Sequence, residues 1–402
     1  MVVEKGYKQT EIGVIPEDWD VITLKDHVEI KSGESPAKFE MLSEGVPYYK
    51  VEQLNNHNKY TKYTPYKINS IHVIFKGSII FPKRGASIFQ NKIRLLSEDS
   101  YMDTNLMTLT TKESIFNEYL YYQLLFKGLD KVADTTSIPQ INNKHITPFN
   151  VPLPPLPEQT AIANALSDMD ALIAQTEKLI EKKKAIKQGV MQELLKPKEG
   201  WVTKKLGEVG MCLRGVSYSP ETDLDLDENE NNLSLLRSNN IQDGLLDKNN
   251  LQFVKSHIVK EFQIIKDSDI IICMANGSKQ LVGKAAIIDN IKRNRYTYGA
   301  FMGCFRVNSN NNPNFIFALM ESKQYRDYID ILLAGSSINN LNPGAIESMS
   351  FQIPERSIQD SIAELLGDIQ KSIIKNQAKL QKLKYKKQGM MQALLTGKIR
   401  LI

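Results

Sequence analysis

PPLPEQTAIANALSDMDALIAQTEKLIEKKKAIKQGVMQELL, from Pro154 to Leu195, is the stretch that decides the fold, because the chain contains it twice. Two hundred positions on, Pro354 to Leu395 reads PERSIQDSIAELLGDIQKSIIKNQAKLQKLKYKKQGMMQALL, and no gap separates the alignments. Sixteen of the 42 aligned positions are identical, among them Gln159/Gln359, Ile162/Ile362, Leu166/Leu366, Asp168/Asp368, Ile173/Ile373 and the block Lys187-Gln188-Gly189 against Lys387-Gln388-Gly389. Self-similarity at a fixed offset outranks any local signal.

Each copy reads as one long helix. Pro157 and Pro354 stand at its start, where a missing N–H costs nothing. Apolar residues then step by four and three: Ile162, Leu166, Met169, Ile173, Ile180, Val190 and Leu194, and again Ile362, Leu366, Ile369, Ile373, Leu380, Leu383, Met390 and Leu394. This averages ~3.5 residues, the seam of a left-handed coiled coil. Thr176 and Asn376 fall at matching polar positions of the seam, where they can set register. About 40 residues at ~1.5 Å each make a rod near 60 Å. Two such rods in one chain pair most simply with each other, antiparallel, with a globular domain at each end.

The repeat extends outward. IPEDWDVITLKDHVEIKSGES from Ile15 is matched by KEGWVTKKLGEVGMCLRGVS from Lys198, aligning Trp19 with Trp201, Leu24 with Leu206 and Gly33 with Gly215. These tryptophans are the chain's only two, and each is expected to anchor the entry to a domain. VPYYKVEQLNN from Val46 pairs with LSLLRSNNIQDG from Leu233, placing Lys50 and Arg237 alike after an apolar run. HVIFKGSIIFPKRGAS from His72 pairs with FQIIKDSDIIICMANGS from Phe262, both strand-rich and ending in a glycine loop. FNEYLYYQLLFKGL from Phe116 and NFIFALMESKQYRDYI from Asn314 predict short amphipathic helices, and SIPQINNKHI from Ser137 returns as SINNLNPGAI from Ser337. The expected organisation is therefore α/β (α+β) with a pseudo-two-fold repeat: globular domains at 1–152 and 200–352, long helices at 153–199 and 353–402, and an intramolecular antiparallel coiled coil between the helices.

With 402 residues, 42% of them apolar, the chain has material for two cores, and a net charge of +5 suits a nucleic-acid partner without requiring one. Cys212, Cys273 and Cys304 form no CxxC pair, so neither a zinc site nor a disulfide framework is indicated. The start MVVEKGYKQTEIG has no apolar core and no long apolar run follows, so a cytoplasmic protein with no membrane partner is expected.

Enzyme signatures fail one by one. Gly277 to Ala285 has five residues between its glycines where a phosphate loop needs four, and Ala285 stands where a hydroxyl would hold magnesium. Asn312-Pro313-Asn314-Phe315 lacks the second proline of an adenine-methyltransferase tetrapeptide. The histidines His27, His57, His72, His145 and His257 have no metal-ligand spacing. No catalytic or metal residue is therefore nominated. What remains is basic and amide loop chemistry: Lys50, Lys83, Arg84, Ser87, Gln90, Lys92 and Arg94 in the first half, and Arg237, Asn239, Asn276, Ser278, Lys279, Gln280, Lys284, Arg293 and Arg295 in the second. Arg, Lys, Asn and Gln fork onto purine edges, while Ser, Lys and backbone N–H beside glycine hold phosphates. In the helices, Gly189 and Gly389 each cost about 1 kcal/mol relative to alanine, which points to close approach of another helix or to a docked partner, with Gln192 and Gln392 on the same face.

Taken together, PLPPLPEQTAIANAL from Pro152, KKKAIKQGVMQELL from Lys182, their repeats at 354–395, the terminal LLTGKIRL at 394–401 and the loop GSKQLVGKAAI from Gly277 resemble the specificity subunit of a type I DNA restriction-modification system. The second copy departs from the pattern, with Ser357 and Ile358 in place of Pro157 and Glu158. The resemblance implies two target recognition domains, each reading one part of a bipartite asymmetric site. It also implies a helix pair that sets the unread spacer. Two methyltransferase subunits, which bind S-adenosylmethionine and flip the target adenine, and two motor-nuclease subunits, which use ATP and magnesium, would join the chain. The chain itself would then carry no cofactor and do no chemistry. The competing readings are a methyltransferase with a degenerate cofactor site and a coiled-coil scaffold with no DNA role.

Overall fold

The computed structural model describes residues 4–56, 58–70, 72–242, 244–289, 291, 295–334 and 339–401. It divides into two compact units, Met1–Glu177 with Ala378–Ile402, and Lys178–Gln377. These units cut across the four sequence segments: each long helix passes from one unit into the other.

In the first unit, Val28–Ser32, Leu106–Thr111, Ile79–Pro82 and Arg94–Leu95 form an antiparallel sheet in that order. Ile79 to Pro82 is buried throughout, as the unbroken apolar run SIIFP requires of a central strand covered on both faces. A second sheet orders Tyr101–Met102, Val46–Tyr49, Lys67–Ile68 and Met41–Leu42. Asp20–Thr23 pairs with Asn150–Leu153, joining the entry of the domain to its exit.

The second unit repeats the plan. Gly210–Arg214, Met302–Val307, Ile270–Cys273 and Ala285–Ile287 make the first sheet, and Tyr296–Tyr298, Asn232–Leu236, Gln252–Lys255 and Leu224–Asp225 the second. Val202–Lys205 closes on Ser350–Ile353. The strand order is the same in both units, including the single parallel pairing in each second sheet. The internal repeat read from the sequence is thus a repeat of topology.

The short helices differ from expectation. Asn117–Lys127 buries every residue from Tyr119 to Leu124, and Pro313–Met320 every residue from Phe315 to Met320. Neither is amphipathic, because each shares one core with sheet and long-helix side chains. The predicted second helix in fact breaks after Met320 and resumes as Lys323–Ala334, which alone shows a one-sided stripe of Tyr325, Ile329 and Leu333.

The long helices are Leu156–Leu194 and Arg356–Leu394, 39 residues each. They pair antiparallel. In the first unit Asp170 meets Lys387 at 2.6 Å and Glu177 meets Lys384 at 2.8 Å. In the second, the Lys183 amine donates to Ser372 Oγ at 2.7 Å. Every predicted seam residue is buried or half-buried. Thr176 and Asn376 satisfy their polar groups on their own helices, through Leu172 and Ser372 carbonyls. Between Ile180 and Val190 the seam continues through lysines. Lys187, 9% exposed, is neutralised by Glu321 at 2.7 Å in the second unit, as Lys387 is by Asp170 in the first. The repeated lysine is therefore a seam residue, held because each unit supplies a carboxylate.

The repeated glutamine has the same standing. Gln159 is buried; its amide donates to Pro154 and Ser114 carbonyls and its oxygen accepts from Phe116 N–H at 2.8 Å. Gln359 does the same with Pro354, Asn311 Oδ1 and Asn312 N–H. Each staples the start of a long helix to the start of the buried short helix.

Where the copies depart, at Glu158 and Ile358, the reason lies in the first unit. Glu158 is buried and accepts from Trp19 Nε1 at 2.9 Å and from Arg400 Nε and Nη2 at 2.7 Å each. Arg400 also forks onto Asp18, at 2.9 and 2.7 Å. Trp201 has no such clasp and instead meets Phe315 edge-on, while Ile358 is 40% exposed. Arg400→Ala would leave Glu158 buried beside an unfilled site and is expected to cost on the order of 3 kcal/mol in denaturant unfolding of the full chain. The Arg400 hydrogen bonds hold the Asp18 carboxyl below its ordinary value of 3.8. Its contribution is thus present above that value and lost as the pH falls through the lowered one, so the Arg400→Ala penalty should shrink in acid.

Candidate nucleic-acid interface

The ends of strands Asn232–Leu236, Tyr296–Tyr298 and Ile270–Cys273 bring the second unit's loops together. Arg237 follows the first strand, Gly299 to Phe301 the second, and Met274 to Gly277 the third. They line a cleft of about 930 Å³ with Ser217, Tyr218, Asn239 and Asn339. The loops are braced to one another. The Phe301 carbonyl accepts from Met274 and Ala275 N–H at 2.9 and 3.1 Å, Asn276 Nδ2 donates to Ser238 Oγ at 3.2 Å, and Ala275 bridges to Asn340. Gly215 allows the closest approach: a Cβ there would lie 2.1 Å from the Gly299 carbonyl oxygen.

Chemically the cleft is one-sided. Its lining holds the Arg237 guanidinium, the amides of Asn239, Asn276 and Asn339 and exposed Gly277 backbone, and among the described residues no carboxylate. Among the described residues Arg237 Nε has no hydrogen-bond partner. Ser278, Lys279 and Gln280 are exposed on the loop that runs on from it.

The first unit builds the same frame. A Cβ on Gly33 would lie 2.0 Å from the Asp103 carbonyl oxygen, Lys83 N–H donates to Asn105 O at 2.8 Å, and Arg84 bridges to Gln140 as Ala275 does to Asn340. On that frame stand Lys50, Lys83 and Arg84. Lys50 lies 3.7 Å over the Tyr66 ring. Lys83 is half-buried, and burial together with the Arg84 charge lowers its pKa. Arg84 and Gln90 are exposed, and Ser87 Oγ donates to the Arg84 carbonyl at 3.3 Å. Lys92 donates to Asn55 Oδ1 at 2.6 Å.

Three of the nominated cations are engaged by backbone carbonyls. Arg94 is 6% exposed, with its guanidinium on the Ile93, Leu54 and Asn56 carbonyls. Lys284 donates to the Ile241 carbonyl, and Arg295 to the Asn229 and Asn232 carbonyls. Arg293 lies outside the described residues, as does His57. Phe301, Tyr218 and Asn339 were not nominated from the sequence, although the SINN/SIPQ match pointed to the flank that carries Asn339.

On the helices, Gly189, Gln192, Gly389 and Gln392 are exposed. A Cβ on either glycine would meet nothing within 4 Å. The expected close approach of another helix is therefore not what these glycines serve within their units. Burial pushes the Cys212 thiol up to about 12 and also raises Cys273 and Cys304. Among the described residues no group of His, Cys, Asp or Glu could hold a metal ion.

The family described as type I restriction modification DNA specificity domain matches residues 16–187 and 198–385. The MjaVIII type I restriction enzyme specificity subunit of Methanocaldococcus jannaschii is 27% identical over 430 aligned positions, covering 99% of this chain and 96% of that one. The StySPI specificity subunit of Salmonella potsdam is 35% identical over 203 residues, covering 50% of this chain and 43% of that protein. The EcoKI specificity subunit of Escherichia coli likewise matches at 34%, with 43% of its length covered. Thus the chain spans less than half of these two relatives and nearly all of the first. In fold it is similar to the S subunit of M. genitalium, with a TM-score of 0.60 at 16% identity over 94% of this chain and 96% of that one. The chain belongs to the type I restriction-modification specificity subunit family and carries its DNA specificity domain twice.

Arg84 and Arg94 give opposite predictions. Arg84→Ala should leave the unfolding midpoint within error and reduce the salt slope of DNA binding by about one phosphate contact. Arg94→Ala should lower stability by about 1–3 kcal/mol through orphaned carbonyls. Equal effects of both on stability would reverse these assignments.

Proposed function

We propose that this chain is the sequence-choosing, non-catalytic subunit of a type I restriction-modification complex. Each unit reads one part of a bipartite asymmetric DNA site through its strand-end loops. The helix pair sets the unread spacer and receives two methyltransferase subunits on faces that include Gly189, Gln192, Gly389 and Gln392. S-adenosylmethionine, ATP and magnesium belong to the methyltransferase and motor-nuclease partners. Among the described residues no helix is long and apolar enough to cross a membrane, and a cytoplasmic location suits the proposal.

One observation carries the reading. Two frames of the same topology present different side chains at matched places, Lys83-Arg84-Gly85 in one and Met274-Ala275-Asn276 in the other. A shared scaffold with altered contact loops is what two readers of different sequences need. Among the positions that stay identical, Gln159/Gln359 and Lys187/Lys387 hold the frame.

The test is DNA binding by the chain assembled with methyltransferase subunits, across a salt series. Sequence-selective binding that falls steeply with salt is expected. No binding under any salt would leave a scaffold, and S-adenosylmethionine binding by the isolated chain would favour the degenerate-enzyme alternative. For the docking faces, Gly189→Leu with Gly389→Leu should raise helix stability by up to about 1 kcal/mol per site, since each Cβ enters open space. Assembly with the methyltransferase should nonetheless weaken at least tenfold. Unchanged assembly in the same thermal and sedimentation measurements would remove the docking assignment.

A further inference from the structure

Phe301 is 72% exposed, on the rim of the second unit's cleft. Its backbone is braced, its own carbonyl accepting from both Met274 and Ala275 N–H. Its neighbours in the cleft include Arg237 and Asn239, donors suited to purine edges, while Asn276 Nδ2 donates to Ser238 Oγ, and among the described residues no lining carboxylate is there to accept from a cytosine amine. A braced cleft with cationic and amide walls, and no carboxylate among its described lining residues, suits an anionic duplex. Beside Tyr218 and the buried Met302, Phe301 is the large exposed apolar side chain of this lining, and it needs an apolar partner there. In the major groove that partner is the 5-methyl group of thymine. At the equivalent place in the first unit, where the Asn105 carbonyl accepts from Lys83 N–H, the side chain is polar and turned to Asp103 Oδ1 at 2.8 Å.

We propose that Phe301 is a specificity-determining residue that reads a thymine methyl group in the half-site recognised by the second unit. The proposal rests on the DNA-reading function above and adds to it the chemistry of one base contact. The first unit, with Asn105 in that place, has no such requirement.

The experiment uses the full chain assembled with its methyltransferase subunits. Site selection by sequencing defines the bipartite motif, and each thymine of the second unit's half-site is then replaced singly by deoxyuridine, which removes only the methyl group. With the native chain, one replacement should weaken binding about tenfold. Phe301→Ala should bind the thymine duplex about tenfold more weakly and lose its discrimination between thymine and deoxyuridine at that position only. Phe301→Leu should retain part of it. Because the side chain is exposed, these variants are expected to leave the core intact, and circular dichroism melts check that. The inference is overturned if the native chain tolerates every deoxyuridine, if Phe301→Ala keeps the same penalty, or if the half-site contains no thymine. Loss of affinity in Phe301→Ala without any deoxyuridine effect would make the ring a stacking wedge and also overturn methyl reading. Failure of the native complex to bind any DNA selectively would overturn the parent reading, and with it this one.

Discussion

The apolar seam of the two long helices is the constraint on which the rest depends. Its residues are not confined to a separate stalk. Ile162, Ala163, Leu166, Leu394 and Leu395 belong to the core of the first unit, and Met191, Ile362, Ala363 and Leu366 to that of the second. Each domain therefore completes its core with helix supplied from both halves of the chain. Deleting a buried leucine of this kind typically costs about 2–5 kcal/mol, so each helix and its domains stand or fall together.

Onto that apolar frame the chain adds polar fixings whose partners lie far away in sequence. Gln159 and Gln359 tie the helix starts to the short buried helices. Lys187 and Lys387 interrupt the apolar seam, and each finds a carboxylate at under 3 Å. Arg400 draws the last residues onto Glu158 and Asp18. A buried charge without a partner is costly, so Lys387 with Asp170 favours this register of the helices in the first unit, and the other pairs fix each helix on its own domain.

The variable chemistry sits at strand ends, outside this frame. In both units a glycine, Gly33 or Gly215, lets one loop pass within contact of another backbone, and the side chains around that crossing differ between the units. The frame can therefore stay fixed while the loop side chains change, in a chain that carries the DNA specificity domain twice.

Much of this was readable from residues alone. The offset of 200 exposed the repeat, the four-and-three spacing exposed the seam, and the matched Lys50 and Arg237 fell at matched strand ends. These features are local or periodic, so one dimension is enough to carry them. What only the tertiary structure decided was the fate of each individual cation and aromatic. Arg94, Lys284 and Arg295 look like Arg84 and Lys279 in a sequence, yet the first three face backbone carbonyls and the other two face solvent. Phe301 looks like a core residue and is exposed. A side chain's role depends on which distant backbone groups lack partners around it, and that is settled only when strands far apart in the chain are brought side by side.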